Sequence, residues 1–135
     1  MSALTEFLFP APAPRRPLAI LRWWERRRLA FNLAVGTAGL VSVVTVSVIQ
    51  MLPPFSSPTA VPLGPIVLFG VMANVCYLLG PAVELGVGAI WGRAVLPTGP
   101  ALYRMGLTFS VGLALLPTLV SVMAWTVAVL ASVLF

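Results

Sequence analysis

The residues of this sequence most able to do chemistry lie together in its middle third: Glu84 and the short polar group Asn74, Cys76 and Tyr77. They sit inside a long apolar stretch, where a carboxylate is a candidate site for a proton, a cation or a partner. On a continuous helix, Tyr77, Glu84 and Trp91 recur every seven residues and share one face, and Asn74 lies about 60° from it. The spacing therefore predicts a polar face on an otherwise apolar helix.

Glu84 is expected to be an interfacial structural residue. Counted from Pro62, it lies about 33 Å along a helix, roughly the full thickness of the hydrocarbon core. At that depth its carboxylate would reach water and pair with an arginine, so Glu84→Gln would lower stability only slightly. The arginines available for this pairing are Arg26, Arg27, Arg93 and Arg104. Handling of an ion or proton and binding of a partner are the alternatives.

The other polar residues of this stretch are expected to have structural roles. Asn74 and Tyr77 would contribute hydrogen bonds between helices, which are worth about 0.6 kcal/mol on average in membranes. Binding of a ligand by Asn74 is the alternative. Cys76 has no base and no positive residue beside it in sequence, so we expect a buried and inert thiol. Because it is the one cysteine, a disulfide within the chain is excluded.

The residue types missing from the sequence exclude several classes of site. It contains no histidine and no aspartate, so it cannot by itself build a histidine-based catalytic triad, a multi-histidine metal site or a histidine-ligated haem or chlorophyll. It also lacks the phosphate-binding, dinucleotide-binding and zinc-protease motifs. We therefore expect no enzymatic activity and no cofactor or metal held by protein side chains. The sequence does not exclude contact with a bound lipid or with a pigment held by a neighbouring subunit.

The composition is that of a membrane protein. Of the 135 residues, 60% are hydrophobic and 8% are charged, whereas about a quarter of the residues in an ordinary soluble domain are charged. The net charge of +5 comes from eight arginines, clustered as in the cytoplasmic flanks of membrane helices. We therefore expect a lipid bilayer as partner and no nucleic acid. Six of the arginines precede residue 29: Arg15, Arg16, Arg22, Arg26, Arg27 and Arg28.

The apolar pattern predicts an all-α membrane protein with three transmembrane helices and a short N-terminal interfacial helix. Residues 1–17 would form a proline-rich cytoplasmic tail and residues 18–31 an amphipathic interfacial helix that runs into the first span. The spans are predicted at 32–52, at 63–79 with an extension to 91, and at 104–130. Gly80-Pro81 should kink or break the second stretch, which is too long for one straight span, and Pro117 should bend the third.

Two alternatives to three spans agree less well with the sequence. A cleaved signal peptide is disfavoured because the first apolar run is long and far from the N-terminus. A hairpin of two spans would require one long apolar segment, most plausibly the second, to be re-entrant.

Two sets of residues are assigned to packing and anchoring. Rows of small residues on the first and third spans would let helix backbones approach closely, within the chain or against another protein, with Asn74 and Tyr77 adding contacts. These rows are Ala34, Ala38 and Ser42, and Gly106, Ser110, Ala114 and Thr118. Aromatic and charged residues near the ends of the spans would anchor the protein at the interfaces. These are Trp23, Trp24, Arg26, Arg27, Arg28, Glu84, Trp91, Arg93 and Arg104.

Two short stretches carry a resemblance. One is Trp23-Trp24-Glu25-Arg26-Arg27-Arg28 followed by Asn32; the other is Ala73-Asn74-Val75-Cys76-Tyr77-Leu78-Leu79-Gly80 followed by Glu84. With them the chain resembles small uncharacterised bacterial multi-pass membrane proteins of about this length. The resemblance implies a protein of the bacterial inner membrane and transfers no activity.

These observations favour a non-catalytic accessory or structural subunit of a larger bacterial membrane complex. A respiratory or photosynthetic complex is one example. The chain would contact the other subunits through its small-residue helix faces. The alternative is a small oligomeric transporter or channel that uses Glu84 and Asn74, and a membrane enzyme comes third.

The distribution of arginines predicts the orientation. With the N-terminus in the cytoplasm, all eight arginines fall on the inner side, as the positive-inside rule requires. A topology reporter fused at Thr98 should therefore read as cytoplasmic, and one fused after Phe135 as periplasmic. A cytoplasmic signal after Phe135 would mean two or four spans and would contradict this architecture.

Overall fold

The computed structural model describes residues 16–56, 60–92 and 98–134, which form three helices and no strand. They are α1 (Pro17–Met51), α2 (Leu63–Trp91) and α3 (Gly99–Leu134). All three are long and apolar enough to cross a membrane. The prediction of an all-helical, multi-pass membrane protein is therefore confirmed, while its orientation stays a prediction. The predicted tail before residue 16 and the anchor Arg93 lie outside the described residues.

The first helix is a single element of 35 residues, about 52 Å long. It begins at Pro17, and proline suits the first helical position because the N–H it lacks would have no partner there. It ends at Met51, just before Pro53-Pro54, which cannot continue a helix. Residues 18–31 form its first turns without a break, and their placement in the membrane interface stays a prediction.

The second and third helices differ from the predicted boundaries. Helix α2 runs continuously through Pro81 to Trp91, so of the kink or break predicted at Gly80-Pro81 the break is wrong, while the kink stays a prediction. Proline in a membrane helix is tolerated where neighbouring groups compensate the lost hydrogen bond. Helix α3 begins at Gly99, earlier than predicted, and the Leu102 N–H bonds to the Thr98 carbonyl oxygen at 3.0 Å. Pro117 lies inside α3.

Helix α1 packs mainly on α3, through small residues. Ala38 and Ser42 of α1 and Ser110 and Ala114 of α3 are buried at this contact. The Thr118 hydroxyl donates to Ser42 Oγ at 3.0 Å. Small side chains let the two backbones approach closely, which is how helices gain van der Waals contact where lipid supplies no hydrophobic driving force.

Two members of the predicted small-residue rows contribute less to this contact. Ala34 is half-buried. Gly106 is exposed, and a Cβ built on it would meet nothing within 4 Å. Trp125 of α3 donates its indole N–H to the Pro53 carbonyl oxygen at 2.9 Å, which connects α3 to the turn that follows α1.

Helix α2 packs on this pair mainly from Phe69 onward. Its buried residues are Ala73, Tyr77, Pro81 and Glu84, and none precedes residue 73. An apolar groove of about 280 Å³ is left among the first turns of α2 and the facing parts of α1 and α3, with Phe69, Ser42 and Pro117 among its walls. The core therefore lies at the end where α1 begins, α2 ends and α3 begins, here called the arginine end.

The tight contact of α1 with α3 predicts that Ala114→Leu lowers the free energy of unfolding by about 1–3 kcal/mol, because added methylenes overpack a filled contact. Titration with sodium dodecyl sulfate in mixed micelles would measure the change. Ala124→Leu makes the same substitution at an exposed position of α3 and should change stability by less than about 0.5 kcal/mol. Equal effects of the two variants would show that Ala114 is not at a packed contact.

Candidate functional site

Trp24 and Glu84 meet where the three helices come together. The Trp24 indole N–H donates to Glu84 Oε2 at 2.8 Å, and both side chains are buried, at 3% and 6% exposed. The Tyr77 hydroxyl donates to the Trp24 backbone carbonyl oxygen. Helix α1 is thus bonded to two side chains that share one face of α2. We call the cluster formed by Trp24, Tyr77, Gly80, Glu84 and Gly99 the tryptophan junction.

Two glycines make room for this junction. A Cβ built on Gly80 would overlap the six-membered ring of Trp24, and one built on Gly99 would overlap the carboxylate of Glu84. Gly80 therefore lets the large indole lie against α2. Gly99 is the first residue of α3, so the Glu84 carboxylate lies against the N-terminus of that helix. A negative charge is stabilised there by the helix dipole.

Aromatic rings enclose the same site. The Trp24 and Tyr77 rings meet edge to face with centroids 5.3 Å apart, and the Phe31 and Tyr77 centroids are 4.7 Å apart. Tyr103 of α3 lies 6.2 Å from Trp24, also edge-on. Each such pair contributes about 0.5–1.5 kcal/mol beyond burial of its area. The indole that donates to Glu84 is thus fixed by neighbouring aromatic rings, and the Glu84 side chain is itself buried.

The structure corrects the predicted surroundings of Glu84 and Trp24. Glu84 was expected to reach water at the interface, and Trp24 to sit among the lipid headgroups, but both are buried and bonded to each other. The position of Glu84 along α2 could be counted from the sequence, whereas its direction toward α1 and α3 could not. Its depth in a bilayer stays a prediction. Glu84→Gln should therefore lower stability by more than the slight amount expected from the sequence, because replacing a buried, hydrogen-bonded carboxylate costs more than replacing an exposed one.

Asn74 makes the predicted hydrogen bond between helices. Its Nδ2 donates to Asn32 Oδ1 of α1 at 2.9 Å and also to the Gly70 carbonyl oxygen at 3.0 Å. Asn74 and Glu84 are ten residues apart, about 15 Å along α2, and each bonds a different residue of α1. Asn74 lines an open cavity of about 410 Å³ between α1 and α2, and Glu84 is not among its walls. The two polar groups therefore do not form one site.

Cys76 is exposed, which contradicts its prediction as a buried thiol. It lies next to Tyr77 in sequence, about 100° around the helix from the face that α2 turns to α1. It borders a groove of about 230 Å³ between α2 and α3 together with Phe109 and Gly106. Within the described ranges, no group of three or more histidine, cysteine, aspartate or glutamate side chains could hold a metal ion.

The remaining predicted anchors lie on the surface of the arginine end. The Arg27 guanidinium stacks over the Trp23 ring with its central carbon 3.8 Å from the centroid. Arg28 forms an exposed ion pair with Glu25 at 3.4 Å. Arg26, Trp91 and Arg104 are exposed as well.

Sequence reasoning missed three participants in these contacts. Gly80 was interpreted only as part of a kink or break, Gly99 was not among the predicted site residues, and Asn32 was not paired with Asn74. One signal was available for Gly80: it lies one helical turn before Glu84, where only a residue without a side chain leaves space for a ring.

The bond between Trp24 and Glu84 is testable by a double-mutant cycle. Trp24→Phe should lower the free energy of unfolding by about 2 kcal/mol, because a buried carboxylate loses a donor. Combined with Glu84→Gln, the two changes should be non-additive by about 1 kcal/mol, measured by detergent titration in mixed micelles. Trp91→Phe is the matched control at a 67% exposed residue and should have little effect. Additive effects of Trp24→Phe and Glu84→Gln would contradict an energetic link between these residues.

Comparison of the chain with protein-family models, with curated proteins and with solved structures finds no match. The resemblance to bacterial multi-pass proteins therefore stays a prediction. What the molecule does is inferred from its own residues and contacts.

Proposed function

We propose that this protein is a non-catalytic accessory or structural subunit of a larger membrane assembly in the bacterial inner membrane, with its N-terminus in the cytoplasm. A respiratory or photosynthetic complex is one assembly of this kind. Because the chain has no histidine, it would pack beside the pigments of such a complex and would not ligate them.

The observation that carries the proposal is the presence of small residues on helix faces that no other described residue packs against. On α2, Ala82 and Gly86 lie one turn apart on the side away from α1, and on α3, Thr108 and Gly112 do the same. A Cβ built on Gly86 or Gly112 would meet nothing within 4 Å. Packing among the described residues therefore does not account for these glycines.

Lipid contact does not require small residues either, since acyl chains pack equally well against leucine. Rows of small residues spaced by four are characteristic of faces where another helix approaches closely. In the most apolar 18 residues of α1, α2 and α3, only 22%, 17% and 6% of the residues are buried, so most of each helix faces outward. Helix α3 has the smallest share of buried residues, and the side that it turns away from α1 is open to a neighbour.

Transport through an oligomer is the alternative, and the buried carboxylate of Glu84 is the observation in its favour. Against it, Glu84 accepts a hydrogen bond from Trp24 and lies apart from Asn74, so a shared substrate path through both is not supported. The tryptophan junction has a simpler role as the contact that holds the start of α1 against the other helices. Flux through proteoliposomes that is abolished by Glu84→Gln, in a variant that still folds, would favour transport.

The proposal predicts a partner that is lost when an open face is filled. Purified from its membranes in mild detergent, the protein should carry a stoichiometric partner subunit, seen by native mass spectrometry. Gly112→Leu should lower the fraction of complex at least tenfold, because a leucine side chain keeps a neighbouring helix at a distance. The thermal stability of the isolated chain should not fall, since the position is open.

The matched control is Val120→Phe, which enlarges an exposed side chain about 80° around α3 from Gly112, away from the face that the partner is proposed to approach. It should leave the complex intact. A lone monomer in every mild detergent, or equal complex formation by Gly112→Leu and the native protein, would count against the proposal.

A further inference from the structure

Four arginines surround one open cavity at the start of α1. Arg16, Arg22, Arg26 and Arg27, together with Trp23, border a space of about 630 Å³, and we call this surface the arginine face. Arg22 and Arg26 each lie two residues from Trp24, and so point about 160° away from it around the helix. The start of α1 thus presents Trp24 to the protein interior and two arginines to the outside.

The positive charge of this face is not neutralised by the carboxylates that the structure describes. These are Glu25 and Glu84. Glu25 pairs with Arg28, and Glu84 accepts from Trp24 inside the bundle. Arg27 is held in place by its stacking on Trp23. The arginine face therefore offers several guanidinium groups, one of them already ordered, to an anion from outside the chain.

An apolar strip continues directly from the arginine face along α1. Leu29, Leu33 and Leu40 lie on the same side of the helix as Arg22 and Arg26 and are 70%, 61% and 65% exposed. Gly36 lies between them with nothing within 4 Å of its Cβ position. From Leu29 to Leu40 the helix rises about 16 Å, which is about the hydrocarbon depth of one leaflet.

We propose that the arginine face and this leucine strip together bind an anionic phospholipid. Arg22 and Arg26 hold the phosphate of the headgroup, because guanidinium groups donate two parallel hydrogen bonds to phosphate oxygens. One acyl chain lies along Leu29, Leu33 and Leu40. Zwitterionic lipids have the same phosphate but also a cation that the arginines repel, so the site selects lipids with net negative charge.

The test uses the 135-residue chain expressed alone and purified in mild detergent, titrated with phosphatidylglycerol or phosphatidylcholine of identical acyl chains and followed by native mass spectrometry. Phosphatidylglycerol should bind at least tenfold more tightly than phosphatidylcholine, and its affinity should fall as the salt concentration is raised. In the double variant Arg22→Gln/Arg26→Gln its affinity should fall about 25-fold, since each arginine near an anionic surface contributes about a factor of five.

The control Arg28→Gln/Arg104→Gln removes the same charge elsewhere at the arginine end. It should lower the affinity for phosphatidylglycerol by less than about threefold. Equal affinity of the native protein for the two lipids would overturn the proposal, and this comparison holds even if a variant fails to fold. Equal loss in both double variants, or displacement of the lipid by millimolar inorganic phosphate, would also overturn it. Because the isolated chain is measured, the result does not depend on whether a partner subunit exists.

Discussion

The hydrogen bond from the Trp24 indole to the Glu84 carboxylate is the contact on which the arrangement of the three helices depends. A buried carboxylate is costly unless it is hydrogen-bonded, so Glu84 requires α1 to present a donor at one height and in one direction. Gly99 brings the start of α3 against the same carboxylate. One acidic group thereby sets the relative position of the start of α1, the end of α2 and the start of α3.

Away from this junction the bundle has little interior. Small residues hold α1 against α3, with Ser42 and Thr118 bonded across the contact, whereas α2 has no fully buried residue before Ala73. In water such a molecule would be unstable, because few apolar side chains are covered. In a bilayer the exposed leucines and valines are solvated by lipid, and stability comes from close backbone packing and polar bonds. Because the described helices bury few residues against one another, faces of α2 and α3 are left for a neighbouring helix.

The start of α1 combines two functions on opposite sides. Trp24 and Phe31 face the core, and Arg22 and Arg26 face outward, where lipid headgroups supply the complementary charge. Fixing Trp24 against Glu84 also fixes the direction of the arginines, because both belong to one rigid helix. Binding of an anionic lipid and packing of the helices are therefore linked through the same turns of α1.

Three long apolar helices followed from residue types alone, since bilayer thickness and helix rise set how many apolar residues a span requires. The rows containing Ala38, Ser42, Ser110 and Ala114 were also recognisable, because small residues at a spacing of four mark close packing whatever the partner. The pairs Trp24 with Glu84 and Asn32 with Asn74 were not, nor was the exposure of Cys76. These depend on how each helix is rotated and which residue, tens of positions away, lies opposite. An apolar sequence leaves both open, because lipid solvates every face of a helix almost equally well, and only the assembled contacts select one rotation.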